Sequence, residues 1–120
     1  MSEFVEVKTQ DLVGTALEWS VAKSAGWVNA KIVTHETPSK TYYEIRTPYG
    51  TRLQPSLDWS QGGPLISRCV TALNQSGTES WWAHAEGHLG TGETPLLAAC
   101  RAIVASVLGD TVSVPKELMS

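Results

Sequence analysis

Residues 94–109 of this 120-residue chain read TPLLAACRAIVASVLG, and they carry a complete helix signal. Thr94 supplies a capping hydroxyl, Pro95 follows at the first helical position, and Gly109 stands where a helix ends. The residues between them are apolar on nearly every side of the predicted helix. A helix of this kind must be buried, so we expect it to lie deep against a sheet.

A second helix is predicted near the N-terminus. Thr9 is the expected N-cap, and Asp11 in the first turn complements the helix dipole. Residues 12–22 place Leu, Val, Ala and Trp side chains on one face. Lys23 falls in the last turn and Gly26 at the C′ position, where the helix is expected to end.

Five segments have the composition of strands: residues 5–8, 27–35, 41–46, 70–73 and 81–85. The segment 27–35 alternates around Val28, Ala30 and Ile32, and the turn at residues 37–40 joins it to the next strand as an antiparallel hairpin. His88 is expected in a loop, and residues 111–115 as an extended tail. The expected fold class is α+β: an antiparallel sheet of four to five strands with two main helices packed on it. Residues 1–120 are expected to form a single domain.

Composition sets several functions aside. The net charge is −3 and the Lys and Arg residues are scattered, so no cationic cluster for a nucleic-acid polymer is present. Residues 96–108 are too short to span a bilayer, and the N-terminus lacks the features of a signal peptide, so we expect no membrane role. Cys69 and Cys100 lie outside any CxxC motif and are expected to be reduced.

Residues 53–64 are the least ordinary part of the chain. They contain two prolines, two adjacent glycines and no apolar period, and we therefore expect a loop. One or two helical turns are expected to follow, with Pro64 at their first position.

This expected loop contains groups that suit a nucleotide-like ligand. Trp59 can stack on a base, while Asp58 and Gln61 can hold polar edges. The amides of Gly62 and Gly63 can approach a phosphate. The alternative is a rigid structural loop, in which the Trp side chain fills the core and the Asp side chain caps a turn or helix.

Two further residues complete the candidate ligand-binding set. Arg68 is close in sequence and can give a charge-assisted hydrogen bond to phosphate. Trp81 and Trp82 are neighbours on a predicted strand, so their indoles point to opposite faces. We expect one to pack on the last helix. The other would be covered by the first helix, by a partner subunit or by a ligand. Either Trp81 or Trp82 would thus close the pocket or a homo-oligomer interface, and Trp82 is the one included in the candidate set.

No catalytic residue, metal ligand or cofactor is predicted. His84 and His88 have i, i+4 spacing, but the intervening Gly87 and the strand-like sequence make a shared helical face improbable. The serines and Cys69 lack a motif that would place a base beside them.

Several stretches, in order along the chain, resemble the NinX-like family of small tailed-phage proteins. They include ALEWSVAK at 16–23, PSLDWSQGGPLI at 55–66, TPLLAACR at 94–101 and LGDTVSVP at 108–115. Residues 31–50 and 71–90 match less well. The second half of the chain is also similar, more loosely, to the phage α-β-α sandwich domain.

The resemblance implies a phage gene product that is expressed in the host bacterial cytoplasm, and it supplies no activity because the family's function is unknown. Small accessory phage proteins often disarm host defences, some by sequestering nucleotide-derived immune signals. By this analogy we expect a non-enzymatic protein that captures a ligand such as a cyclic dinucleotide or an ADP-ribose derivative. The alternatives are a module that inhibits or recruits a host or phage protein, and a hydrolase of the same nucleotides.

Overall fold

Helix α3, Pro95–Leu108, lies at the centre of the fold in this computed structural model, which describes residues 3–27 and 29–119. The Thr94 hydroxyl accepts a hydrogen bond from the Leu97 N–H at 3.1 Å, and Gly109 ends the helix with a φ of 94°. Every residue from Ala98 to Ala105 is buried. The prediction of a capped helix that lies deep in the core is confirmed.

Ten helices and strands make up the described chain. In order they are β1 Phe4–Lys8, α1 Gly14–Ser24, β2 Lys31–Glu36, β3 Thr41–Arg46, α2 Trp59–Cys69, β4 Ala72–Gly77, β5 Ser80–Ala85, β6 His88–Gly92, α3 and β7 Thr111–Pro115. Short 3₁₀ turns occur at Thr9–Asp11 and Lys116–Met119. The α+β class is confirmed.

The strands form three antiparallel sheets, β1–β7, β2–β3 and β4–β5–β6, whereas the sequence predicted one sheet of four to five strands. The expected tail is strand β7, which pairs with β1 from Lys8 opposite Thr111 to Phe4 opposite Pro115. The hairpin β2–β3 is confirmed, with β3 as predicted. Strand β2 begins at Lys31 and not at residue 27. Val28, which was expected in this strand, lies outside the described residues.

The three-stranded sheet packs on α3 through two glycines of β6. A Cβ atom at Gly90 would lie 2.2 Å from the Ala98 carbonyl oxygen, and one at Gly92 would lie 2.7 Å from Leu97 Cγ. Only glycine permits this separation of strand and helix. The sequence analysis placed His88 in a loop, and that prediction was wrong, because His88 begins strand β6.

The outer edge of β6 is closed by side chains from other elements. The Gln10 amide donates to the Leu89 carbonyl at 2.8 Å and accepts from the Thr91 N–H at 3.1 Å. Arg101, from within α3, donates to the carbonyls of Thr91 at 2.8 Å and Leu12 at 3.0 Å. These bonds satisfy backbone groups that would otherwise invite pairing with another chain.

Helix α1 starts later than predicted and ends where predicted. It begins at Gly14, because Thr9 is buried and its hydroxyl donates to the Gly109 carbonyl at 2.6 Å in place of capping. At its other end Gly26 has a φ of 76°. The N–H groups of Gly26 and Trp27 donate to the carbonyls of Lys23 and Ala22, the paired bonds of a Schellman motif. This motif fixes Trp27 beyond the end of the helix.

Helix α2 begins at Trp59, so residues 59–64, which were predicted to be loop, are helical and that prediction was wrong. The helical turns predicted to follow this loop form the second half of α2, and Pro64 lies inside the helix rather than at its first position. Local propensity disfavours a helix with two glycines and a proline. Tertiary packing outweighs it here, because a Cβ atom at Gly62 would lie 2.4 Å from the Pro55 carbonyl oxygen and 2.5 Å from Leu96 Cδ2. The helix therefore needs glycine at this contact.

The two adjacent glycines of α2 make a matched test of this packing. Gly62→Ala should lower the free energy of unfolding by about 1–3 kcal/mol, because the new methyl group overlaps the Pro55 carbonyl and Leu96. Gly63→Ala should raise it by up to about 1 kcal/mol, because the nearest atom lies 4.0 Å away and alanine favours the helix. Urea denaturation of both variants measures the difference. Equal stabilities would contradict the close approach of α2.

Candidate functional site

The Asp58 side chain, predicted to bind a ligand, caps helix α2. Its Oδ1 accepts hydrogen bonds from the Ser60 N–H at 2.9 Å and the Ser60 hydroxyl at 2.6 Å. The Ser60 hydroxyl, followed by the Ser60 amide, lowers the pKa of this carboxyl. The capping role is the one that the structural alternative anticipated.

Gln61 and Gly62 serve the protein's own backbone. Gln61 Oε1 accepts from the Gln54 N–H at 2.6 Å, and its Nε2 donates to the Arg52 carbonyl at 2.8 Å. The Gly62 N–H donates to the Asp58 carbonyl at 2.8 Å, so this amide is engaged within the helix instead of facing a phosphate.

The other candidate residues are spread over different surfaces. Trp59 and Gly63 lie in the first turns of α2, with Trp59 55% exposed rather than filling the core. Arg68 lies nine residues after Trp59 on the same helix, which places the two residues roughly 13 Å apart along the helix axis. The structure thus gathers Asp58, Trp59, Gln61, Gly62 and Gly63 at the start of α2, and it separates them from Arg68.

Trp82 lies on the outer face of the three-stranded sheet. Trp81 packs against the core, whereas the Trp82 ring contacts His84 with centroids 5.1 Å apart. The prediction that the two indoles point to opposite faces is confirmed. Three hollows near the end of α1 are described below by their lining residues. Those described residues include none of the candidate ligand-binding residues.

A cleft of about 440 Å³ lies between the segment that follows α1 and the turn that follows β3. Trp27, Asn29 and Ala30 form one side, and residues from Thr47 to Leu53 form the other. The Tyr49 side chain stands at the tip of the turn and is 95% exposed. Two aromatic faces, together with a few hydroxyl and amide groups, suit a flat ligand.

Backbone hydrogen bonds hold the turn that forms the second side. The Thr47 N–H donates to the Thr51 carbonyl at 2.9 Å, and the Gly50 N–H donates to the Thr47 carbonyl at 3.0 Å. The Leu53 N–H donates to the Ile45 carbonyl at 2.7 Å. Arg46 Nη1 also donates to the Gly50 carbonyl. The wall that carries Tyr49 is therefore preformed.

A buried carboxylate anchors this arrangement from behind. Glu44 accepts from Arg46 Nη2 at 2.8 Å, lies 3.2 Å from Arg52 Nη1, and lies 2.6 Å from His35 Nε2. The Arg46 hydrogen bond is the main reason that the pKa of Glu44 is lowered. Arg46 thus links a fixed anion in the hairpin to the turn beside the cleft.

Two further hollows lie near the end of α1 and share lining residues with the cleft or with each other, and we call the three together the groove. The first, about 170 Å³, shares Trp27 and Ala30 with the cleft and adds Trp19 and Lys23. The second, about 350 Å³, shares Trp19 and Lys23 and reaches Leu108 and residues 111–113. Lys23 Nζ lies 5.3 Å from the centroid of the Trp19 ring. Among the described residues that line the groove, only Lys23 carries a charge.

The sequence analysis missed this groove because its parts are distant in the chain. Trp19 was assigned to the apolar face of a helix and Trp27 to a strand. One signal was present in the sequence: Tyr49 lies between Pro48 and Gly50, and a turn of this composition places a large aromatic side chain at the surface and not in the core.

Glu18 occupies a separate small cavity of about 70 Å³ that Glu44 and Arg52 also line. Its carboxylate accepts from the Ser56 hydroxyl at 2.8 Å and the Ser56 N–H at 3.2 Å. Burial raises the pKa of Glu18 to about 7, against the lowering effect of these hydrogen bonds. The cavity has room for a few waters only.

Three further findings concern the described residues alone. Residues 3–27 and 29–119 contain no group of three or more His, Cys, Asp or Glu side chains placed to hold a metal ion. Within the same ranges, no helix is long and apolar enough to cross a membrane. Cys69 and Cys100 are both free thiols.

Fold and groove together define a small α+β protein built around a central apolar helix, with an aromatic groove at the end of a second helix. The chain belongs to the NinX family of phage proteins, because the family model described as Bacteriophage P22, NinX matches residues 8–107. The resemblance drawn from the sequence is confirmed. A search of curated proteins finds no match.

The buried carboxyl of Glu18 predicts a pH-dependent stability. The folded-state pKa of about 7 lies above the ordinary value of 4.5, so the folded protein holds the proton more tightly than the unfolded chain does. This contribution to stability is complete below the unfolded-state pKa and is lost as the pH rises through about 7. It amounts to at most about 3 kcal/mol. Glu18→Gln keeps the shape of the side chain and removes the titration.

Urea denaturation of both proteins between about pH 5 and about pH 8 measures this effect. The stability of Glu18→Gln relative to the parent should rise with pH, whereas the Glu44 cluster contributes equally to both proteins. A pH-independent difference would show that the Glu18 pKa is not raised.

Proposed function

We propose that this protein captures a small nucleotide-derived ligand in the groove beside Trp27 and Tyr49, and holds it without cleaving it. The observation that carries the proposal is the preformed cleft with aromatic residues on both sides. Its volume of about 440 Å³ lies in the range of small-molecule sites, about 300–1,000 Å³. Base–aromatic stacking contributes about 1–3 kcal/mol per base, whatever the base.

The charge of the groove also supports a ligand of this class. Asn29, Thr47 and Thr51 offer donors and acceptors at the cleft, where described charged residues do not line the walls. Lys23 lies in the adjoining hollow and can bind a phosphate as a point charge. A base in the cleft with its phosphate directed toward Lys23 uses both features.

Capture of a host immune signal is the role that fits a phage protein of this family. In that role the protein acts in the host cytoplasm and lowers the free concentration of the signal. Holding is favoured over hydrolysis because Glu18 and Glu44, the buried carboxyl groups of the described residues, are hydrogen-bonded to Ser56 and to Arg46 and do not line the cleft. Recovery of intact ligand after denaturation, with no product under multiple-turnover conditions, distinguishes capture from hydrolysis.

A thermal-shift screen tests ligand binding and locates the site. The panel contains cyclic dinucleotides, cyclic ADP-ribose isomers and linear ADP-ribose derivatives. A ligand at about a hundred times its Kd stabilises the native state by about 2.7 kcal/mol, which raises the Tm by several degrees. Trp27→Ala and Tyr49→Ala should each reduce that shift strongly, because each removes a stacking face.

Trp59→Ala is the matched control, since Trp59 is exposed at the start of α2 and does not line the groove. It should keep the full shift. Loss of the shift in Trp59→Ala, with Tyr49→Ala unaffected, would return the site to the start of α2. A flat response across the panel would reject nucleotide capture.

A second candidate function, contact with another protein, is favoured by the outer face of the three-stranded sheet. Leu89 is 49% exposed there and pairs with His84, the residue that contacts Trp82. Such a face can bind a host or phage protein, or a second copy of this chain. A stable complex that forms without any small molecule and is lost in Trp82→Ala would favour this function.

A further inference from the structure

The groove along the end of α1 consists of two larger hollows, of about 440 Å³ and 350 Å³, and a smaller one of about 170 Å³ that shares lining residues with both. Trp27 lines the first larger hollow and the smaller one. Trp19 and Lys23 line the second larger hollow and the smaller one. Each larger hollow therefore has its own indole, and one cation borders the second of them.

We propose that the groove binds a dinucleotide, with one base against Trp27 and Tyr49, the second base against Trp19, and the linking phosphate at Lys23. This inference rests on the proposed function and names the class of ligand within it. A dinucleotide offers two flat rings and a charged linker, which suits two hollows that each have an indole and share one cation.

The two tryptophans line different larger hollows, and this selects among nucleotide ligands. Trp19 and Lys23 lie one turn apart on the same face of α1, whereas Trp27 lies beyond the end of the helix. A ligand that uses both indoles needs two bases, and an ADP-ribose derivative, with one base, uses only one of them.

Lys23 lies beside the second indole. Its Nζ lies 5.3 Å from the Trp19 centroid, a cation–π contact, and Lys23 lines the same two hollows as Trp19. The carbonyls of Val21, Ala22 and Lys23 accept hydrogen bonds from the residues that follow α1. The negative end of the helix is thus capped, and the ammonium is available for an anion.

Titration calorimetry with matched one-base and two-base probes tests the inference. Cyclic di-AMP and cyclic di-GMP are compared with AMP and GMP, and adenosine serves as a probe without phosphate. The tighter cyclic dinucleotide should bind at least tenfold more strongly than its mononucleotide, because only the two-base probe reaches Trp19. Trp19→Leu should remove this advantage and leave mononucleotide affinity unchanged.

Lys23→Gln provides a second test that does not touch the core, because Lys23 is exposed. It should weaken cyclic dinucleotide binding at least fivefold and leave adenosine binding unchanged. Lys40→Gln, at the tip of the β2–β3 hairpin, is the control and should bind like the parent.

Different results would contradict the dinucleotide assignment and the capture of nucleotides in general. Equal affinity for the one-base and two-base probes, with Trp19→Leu unaltered, would overturn the dinucleotide assignment and leave nucleotide capture standing. Absence of binding by every probe would overturn both.

Discussion

The burial of α3 on every side is the constraint on which the rest of this structure depends. A helix with so few polar side chains needs protein on all faces, and the three-stranded sheet reaches it closely only because β6 carries Gly90 and Gly92. Helix α1 packs elsewhere on α3, and the buried apolar residues form one cluster. Arg101 is the charged residue of α3. Its guanidinium donates hydrogen bonds to the carbonyls of Leu12 and Thr91, and these bonds connect the N-terminal segment to the edge of the sheet.

Helices and strands with strong local sequence signals were predictable from the sequence. Those whose residues are determined by contacts with distant parts of the chain were not. Helix α3 has a cap, a proline and a terminating glycine, and β3 is dense in β-formers, so both were found. Helix α2 and strand β6 each contain glycines that suit a contact remote in the chain. Gly62 lies against Pro55 and Leu96, and Gly90 lies against Ala98. The sequence analysis therefore assigned the first half of α2, and His88 of β6, to loops.

The candidate site also contains one part that was visible in the local sequence and one part that forms only through distant contacts. The group of residues from Asp58 to Gly63 stood out by composition, but in the folded chain Asp58, Gln61 and Gly62 cap, clamp and pack α2. The groove has no local pattern, because the end of α1 and the turn after β3 meet only in the fold. Its far wall depends on Glu44, which fixes Arg46, which in turn holds the Gly50 carbonyl next to Tyr49. The spacing of residues along the sequence does not predict a series of contacts such as this one.

The most direct test of the groove is a ¹H–¹⁵N NMR titration that follows the indole N–H signals of the five tryptophans. The probe is the tightest-binding cyclic dinucleotide, and each signal is assigned by substitution. We expect the signals of Trp27 and Trp19 to shift, and those of Trp59 and Trp82 to stay in place. Shifts confined to Trp59 and Trp82, with Trp27 unmoved, would contradict the groove as the binding site.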